Sequence, residues 1–357
     1  MQIYKENVNK QLSIINYFVS LQHNIPKTTI YTFIMQELFF ELLRVAIGQL
    51  DCLSRGPSNQ EWNDIYQIAQ RHGLLGVCYK GVEHLFEFGL RAPQDLSIDW
   101  MADAETIREE QEMYENHCEK LVEKLAERKF RAAVMNGLGV HRYVDNELQH
   151  LVQVKAIDVF LDCSNERLVK FVRQTGQEDI PCSYTSLALN AWETTPVNLY
   201  YRPLMARNPF VNKRLQKWFL QNKDQMFLQG KDDWLLPSPT MNAICMLQTF
   251  QQHLLQGKAT MGYLVDYFFV LSALNGAFQP FRDSANMAET LQTLGLSQFA
   301  AGVMWVLEHT LGLERQCMLG EPSEVEGRFI LRCLMARKYS FKHLLLHYPM
   351  EMIWPKR

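Results

Sequence analysis

The stretch RAAVMNGLGVHRYVDNELQHLVQVKAIDVFLD, residues Arg131–Asp162, decides the fold that this sequence predicts. It opens with the strand-like run RAAVM and passes through a glycine turn into the helix-like run HRYVDNELQHL. It ends in a second strand-like run, VKAIDVFLD, which contains the aspartate Asp158. This order of strand, turn, short helix and strand predicts a small α/β unit around Asp158.

The segments on both sides extend this unit. Two more strand-like runs, SYTSLALNA and PVNLYYRP, follow it, and the helix-like run NERLVKFVRQTG precedes them. Strands separated by helices and then joined as a hairpin-like pair predict a small mixed sheet with helices on one side. Helical periodicity fills the rest of the chain. We therefore expect an α+β fold with an N-terminal helical lobe (1–130), an α/β core (131–207) and a C-terminal helical lobe (208–357).

Composition and charge narrow the class of protein. The chain has 357 residues, of which 47% are hydrophobic and 21% charged, and this balance is typical of a globular protein with a large core. The formal net charge of -3 gives no general attraction to nucleic acid or to an anionic membrane. Any site for a polyanion must therefore be a local patch.

The same sequence predicts a cytoplasmic protein. Eight cysteines are scattered without a Cys-x-x-Cys pair, which is typical of free thiols in a reducing compartment. The first residues, MQIYKENVNKQLSII, lack the unbroken apolar segment of a signal peptide. Charged residues interrupt the most apolar windows before they reach the roughly 20 residues that a membrane span requires. We expect neither export nor insertion into a membrane.

Asp158 and the glycine turn carry the possible chemistry. Nucleotidyl transfer needs carboxylates that share magnesium ions, and these ions bridge the oxygens of a triphosphate. Residues i and i+2 of a strand point the same way at a distance of about 6.6 Å, so Asp-x-Asp can hold one metal pair. A glycine turn upstream allows backbone N–H groups to approach the phosphates.

Five segments in order resemble a family with this chemistry. They are FFELLRVAIG, MNGLGVHRYV, VKAIDVFLD, PVNLYYRP and QQHLLQGKATMGYLVDYFFVL. Together they resemble a bacterial nucleotidyltransferase family of the polymerase-β type, over about residues 36–275. The resemblance implies a nucleotidyltransferase core between helical lobes. It also implies a nucleoside triphosphate as ligand, Mg2+ as cofactor and transfer of a nucleotidyl group to an acceptor, which the sequence does not disclose.

Residue by residue, the resemblance places the family's turn lysine on Asn136 and its glycine on Gly137. The three metal-binding carboxylates of the family fall on Ala156, Asp158 and Asn198. The resemblance therefore implies Asp158 as the metal ligand and catalytic residue, and Asn136, Gly137 and Asn198 as contacts to the nucleotide. Ala156 has no oxygen and Asn198 is a neutral amide, so we expect no tightly held pair of magnesium ions.

These losses leave three functions open. The leading one is a catalytically impaired nucleotidyltransferase-like protein that binds a nucleotide or another phosphorylated ligand in the ancestral cleft. The second is an active metal-dependent enzyme with a non-standard site, for which Asp145, Glu147 or Glu193 could supply a missing carboxylate. The third is a non-catalytic interaction protein that associates through the long helix predicted near residues 100–128.

Other polar residues are weaker candidates. A basic cluster follows the last strand and either lines a phosphate-binding cleft or forms a solvated helix face; it comprises Arg202, Arg207, Lys213, Arg214 and Lys217. Arg202 is the member closest in sequence to Asn198 and is included among the expected nucleotide contacts. His253 and Asp266 either face the substrate or complete buried hydrogen bonds. His343 and His347 have half of a zinc-site spacing, and we expect them to be structural.

Overall fold

Four helices precede the sheet. The computed structural model describes residues 27–177, 181–230, 234–275, 284–336 and 347–348 of the chain. The four helices are α1 Lys27–Ala46, α2 Asn59–His72, α3 Leu75–Glu87 and α4 Gln94–Glu127. This arrangement confirms that helices flank the sheet on its N-terminal side.

The second helix shows how local sequence sets these boundaries. The Ser58 hydroxyl accepts the N–H of Glu61, and the Glu61 carboxylate accepts the N–H of Ser58, which forms a capping box. The helix ends at Gly73, whose φ of 68° is the left-handed conformation that glycine favours. Trp62, Ile65 and Ala69 form its buried face, as their spacing predicts.

The sheet has four strands in the order β1-β2-β4-β3. The strands are β1 Ala132–Met135, β2 Ile157–Leu161, β3 Ser186–Trp192 and β4 Thr195–Tyr200. The β1/β2 and β3/β4 pairs are antiparallel, and the central β2/β4 pair is parallel. A helix between β2 and β3, α7 Asn165–Gln174, begins after the cap Ser164. This topology confirms the predicted small mixed sheet.

The connection between β1 and β2 differs from its prediction. The run HRYVDNELQHL, residues 141–151, has helical spacing, but α5 Asn136–His141 ends at its first residue, and the run itself forms only the single turn α6 Asn146–Gln149. Asp145 has the extended backbone angles φ -59° and ψ 143° at the start of α6. The first helix therefore begins earlier, inside the predicted glycine turn, and the chain changes direction at Arg142–Asp145.

The two faces of the sheet contact different hydrophobic cores. One face packs against α7 and the end of α4; its buried residues include Val134, Val159, Leu187 and Leu199. The opposite face presents Ala133 and Phe160 to a larger core that contains residues from helices on both sides of the sheet in sequence. Asp158 lies on this second face, because side chains alternate along a strand.

The long helix α4 contributes to both cores. Leu96, Trp100 and Ile107 in its first half belong to the larger core, whereas Cys118, Leu121 and Leu125 belong to the smaller one. A helix of 34 residues is about 50 Å long, which is enough to reach from one core to the other. The division of the chain into three domains at residues 130 and 207 stays a prediction.

The chain after β4 is mainly helical. The helices are α8 Pro209–Asn222, α9 Pro239–Gln256, α10 Met261–Asn275, α11 Ser284–Thr293, α12 Ser297–Leu311 and α13 Glu324–Met335. The segment expected to be a linker, about residues 222–240, contains a 3-10 turn (Lys223–Met226) and a two-stranded sheet of β5 Leu228–Gln229 and β6 Leu235–Leu236. None of the helices in the described ranges has the length and apolarity needed to cross a bilayer.

Candidate functional site

The site begins where β1 passes into α5. Asn136 has a φ of 51°, in the left-handed region that non-glycine residues rarely adopt, and Gly137 has φ 3° and ψ -96°. A Cβ on Gly137 would lie 2.9 Å from both methyl carbons of Val154, which is too close for a real contact. Glycine is therefore required here, and the tight turn directs the Asn136 side chain towards β2.

The sheet register aligns the other polar residues. Asp158 is the Cα partner of Met135 on β1 and of Asn198 on β4. Direct partners in a sheet project from the same face, so the carboxylate and the Asn198 amide lie side by side. Asn136 follows Met135 immediately and approaches the carboxylate from the other direction.

These residues form one hydrogen-bonded unit, here named the amide–carboxylate triad (Asn136, Asp158 and Asn198). The Asn136 Nδ2 donates to Asp158 Oδ2 at 2.7 Å, and the Asn198 Nδ2 donates to Asp158 Oδ1 at 2.9 Å. Each carboxylate oxygen therefore already accepts one amide N–H. The structure brings together three polar side chains that the resemblance to the nucleotidyltransferase family implied at one site.

Burial dominates the electrostatics of Asp158. It raises the pKa of this carboxyl group to about 6, although the hydrogen bonds from Asn136 and Asn198 act in the opposite direction. Among the described residues, no lysine, arginine or histidine contributes to the shift. The neighbours of the carboxylate are therefore neutral donors rather than cations.

Tyr200 is a member of the site that the sequence did not reveal. It lies two residues after Asn198 on β4, so its side chain projects from the same face as the triad. The charge of Asp158, together with burial, raises the pKa of the Tyr200 hydroxyl well above its usual range. The alternation of side chains along a strand, counted from Asn198, could have predicted that Tyr200 lies on this face.

The position before Asp158 on this face is Ala156, one residue ahead of β2. Its side chain ends at Cβ and supplies no ligand. The acids that could have replaced it bind lysines elsewhere: Glu147 binds Lys80 at 2.9 Å and Glu193 binds Lys120 at 2.7 Å. Asp145 is exposed at the start of α6.

Metal-binding groups are not gathered at this face. Within the residues that the structure describes, no three or more His, Cys, Asp or Glu side chains are placed to hold a metal ion. Asp162, at the far end of β2, forms an ion pair with Lys223 at 2.8 Å. Asp158 is therefore the one carboxylate at the triad within the described chain.

The structure does not bring Arg202 to the triad. Its side chain is exposed, and the guanidinium lies 4.6 Å from the centre of the Tyr184 ring and 5.6 Å from that of Tyr201. Lys213, Arg214 and Lys217 are exposed on α8. This part of the basic cluster forms a solvated face, as the simpler of its two interpretations predicted.

The remaining candidates lie in the C-terminal helices. The His253 ring packs against that of Tyr263, with the ring centres 5.7 Å apart. Burial raises the pKa of Asp266 to about 8, and its Oδ1 has no hydrogen-bond partner within the described chain. His347 contacts Glu326 at 2.8 Å, while His343 lies outside the described residues.

Comparison with known protein families identifies the family to which the chain belongs. A family model described as "Uncharacterised nucleotidyltransferase" matches residues 58–312, from the cap of α2 to the end of α12 and well over half of the chain. The chain belongs to this nucleotidyltransferase family. The match includes the whole sheet and every member of the triad. No curated protein and no solved structure matched the chain.

Proposed function

We propose that this member of the nucleotidyltransferase family is catalytically impaired and uses the ancestral cleft to bind a nucleotide or another phosphorylated ligand. One observation carries the proposal: amide N–H groups occupy both oxygens of Asp158, at 2.7 and 2.9 Å. In a working site of this kind those oxygens would bind magnesium. The amide donors take the place of the cations.

The donor set supports this interpretation. Magnesium in nucleotide sites is usually held by one or two carboxylates together with phosphate oxygens and water. Here a single carboxylate is present at the triad, and burial raises its pKa to about 6, which makes protonation compete with metal binding. A metal held mainly by the phosphates would bind weakly. If chemistry remained, it would be nucleotidyl transfer with Asp158 as the metal ligand.

A pocket that no longer reacts can still bind. The triad gathers polar groups on one face of the sheet, and the sharp turn at Asn136 and Gly137 lies beside it. Maintaining a left-handed asparagine costs about 1 kcal/mol, and such strain is often retained where a backbone shape serves a ligand. A binding or regulatory role follows, with a nucleotide as the first class of ligand to test.

The test combines thermal stability with turnover. The wild-type chain is heated with each of the four ribonucleoside triphosphates, in magnesium and in excess chelator. We expect at least one triphosphate to raise the melting temperature to a similar extent in both conditions. Asp158→Asn should alter this response, whereas Asp162→Asn on the same strand is the matched control and should not.

Two results would contradict the proposal. Release of pyrophosphate in magnesium by the wild-type chain, lost in Asp158→Asn, would show an active enzyme with a non-standard site. If no nucleotide stabilised the protein, nucleotide binding would be contradicted and a role in protein interaction would be favoured. The measurement for that role is the molecular mass of the protein in solution.

A further inference from the structure

The donors and acceptors of the triad that make no hydrogen bond to each other indicate which part of a ligand the triad can bind. Each asparagine uses one N–H on Asp158, so each retains a second N–H and its carbonyl oxygen. Within the described residues, the Tyr200 hydroxyl makes no hydrogen bond. The pocket therefore offers neutral groups that donate and accept, together with the spare lone pairs of one carboxylate.

This mixture does not suit a phosphate. A phosphate group brings only acceptor oxygens and negative charge, and it would face the Asp158 carboxylate without a cation between them. Arg202, the basic residue nearest to Asn198 in sequence, stacks on Tyr184 instead. An alcohol hydroxyl both donates and accepts, as the groups of the pocket do.

Small side chains leave room beside the triad on the same face. Ala156 precedes Asp158 by two residues, and Ala188 on β3 is the Cα partner of Asn198. Both side chains end at Cβ and both residues retain solvent exposure. Neither side chain would block a ring that carries adjacent hydroxyl groups from reaching the triad.

We propose that the triad and Tyr200 bind the ribose hydroxyls of a nucleoside, so that the sugar and not the phosphates supplies the recognition at this face. The proposal rests on the proposed function, because it assumes that the ligand is a nucleotide. It makes Tyr200 a binding residue, with its hydroxyl paired to the ribose 2′-hydroxyl. The phosphates, if present, extend away from Asp158.

The first experiment compares the affinities of several ligands for the wild-type chain. Binding of adenosine, guanosine, cytidine and uridine is measured by calorimetry in chelator, beside the corresponding triphosphates and 2′-deoxynucleosides. We expect one ribonucleoside to bind within about fivefold of its triphosphate, and loss of the 2′-hydroxyl to weaken binding about tenfold, the effect of roughly one hydrogen bond.

Tyr200→Phe removes the hydroxyl and keeps the ring. It should weaken the ribonucleoside about tenfold and leave the deoxynucleoside within about twofold, because the deoxynucleoside has already lost the partner. Tyr201→Phe is the matched control, since the Tyr201 hydroxyl donates to the Ser183 carbonyl at 2.6 Å outside the triad. The ligand series needs no variant, so the proposal remains testable if Tyr200→Phe fails to fold.

The outcomes separate this proposal from the proposed function. A triphosphate that binds more than about 100-fold tighter than its nucleoside in chelator would overturn the ribose assignment and leave nucleotide binding intact. Equal loss for ribo- and deoxyribonucleosides in Tyr200→Phe would overturn the hydroxyl contact. Absence of binding by every nucleoside and every triphosphate would overturn both proposals.

Discussion

Asn198 and Asp158 are direct partners across the parallel β2/β4 pair, and the Asn198 amide donates to Asp158 Oδ1 at 2.9 Å. A neutral side chain thus stands beside a half-buried carboxylate at a distance where two carboxylates would repel each other. Together with the Asn136 amide, this pairing gives each oxygen of the Asp158 carboxylate a hydrogen-bond donor. It also shows which substitutions will disturb the site.

Asn198→Asp should destabilise the protein in the absence of metal. Two carboxylates at this separation, without a cation, raise the pKa of one of them and cost about 1–2 kcal/mol at neutral pH. We expect a lower melting temperature in chelator and a partial recovery in millimolar magnesium. A variant as stable as the wild type in chelator would show that the two side chains do not interact in solution.

Restoring a third carboxylate should increase the stabilisation of the protein by magnesium. Ala156→Asp combined with Asn198→Glu places two acids beside Asp158, and we expect magnesium to stabilise the double variant more than Asn198→Asp alone. The measurement is the melting temperature as a function of magnesium concentration, with calcium as a comparison ion. If magnesium gave no stabilisation, the three positions would not share one metal site.

Asp158 should make stability depend on pH. Its pKa is about 6 in the folded chain, against an ordinary value of 3.8 for an exposed aspartate, so the folded state takes up the proton first as pH falls. The protonated form therefore adds stability at low pH, and this contribution is lost as pH rises from about 4 through 6. Its size is on the order of 3 kcal/mol, from a shift of roughly two pKa units.

The check on this dependence is a pair of denaturation series between pH 4 and 7.5. Asp158→Asn removes the titrating group, and its amide can keep one hydrogen bond in the triad, so its free energy of unfolding should vary less across this range than that of the wild type. Asp162→Asn should follow the wild type. Parallel curves for wild type and Asp158→Asn would contradict the raised pKa.

Gly137→Ala should destabilise the protein by about 2 kcal/mol, because the new methyl group meets the Val154 side chain. Val154→Ala should recover part of this loss by removing those methyl carbons. Gly320→Ala is the control, since nothing lies within 4 Å of its added Cβ. A full loss that Val154→Ala does not relieve would place the strain in the backbone angles of the turn rather than in the contact.

A buried acid fixes residues near the end of the chain. The Glu326 carboxylate accepts hydrogen bonds from Gln298 and from the Tyr348 hydroxyl, and its Oε2 lies 2.8 Å from His347 Nε2. Glu326→Ala leaves these groups without a partner and should cost about 2–3 kcal/mol in chemical denaturation. Glu324→Ala, two residues earlier and exposed, should cost much less. Equal losses would contradict this role of Glu326.

The sequence predicted the parts of the site that depend on local pattern. The strand-like pattern placed Asp158 inside a strand, and the resemblance to the nucleotidyltransferase family implied that Asn136 and Asn198 lie beside it. Tyr200 was missed because an aromatic residue in a strand usually indicates packing, although its place two residues after Asn198 puts it on the face of the triad.

Features set by tertiary contacts were not predictable. The break at Asp145 lies within a run whose apolar spacing is helical, so the folded chain overrides a local helical preference there. Arg202 follows the correct strand, yet the exposed ring of Tyr184 holds its guanidinium away from the triad. Sequence distance from Asn198 carries no information about that ring.

The long helix α4 has a consequence for how the protein unfolds. Because Trp100 belongs to one core and Leu121 to the other, unfolding of either core disturbs a helix that also packs in the other core. We therefore expect the helical region before the sheet to unfold together with the sheet, in a single cooperative transition. A fragment cut after residue 130 would keep α4 but lose the partners of its second half, and it would aggregate through the apolar seam exposed there.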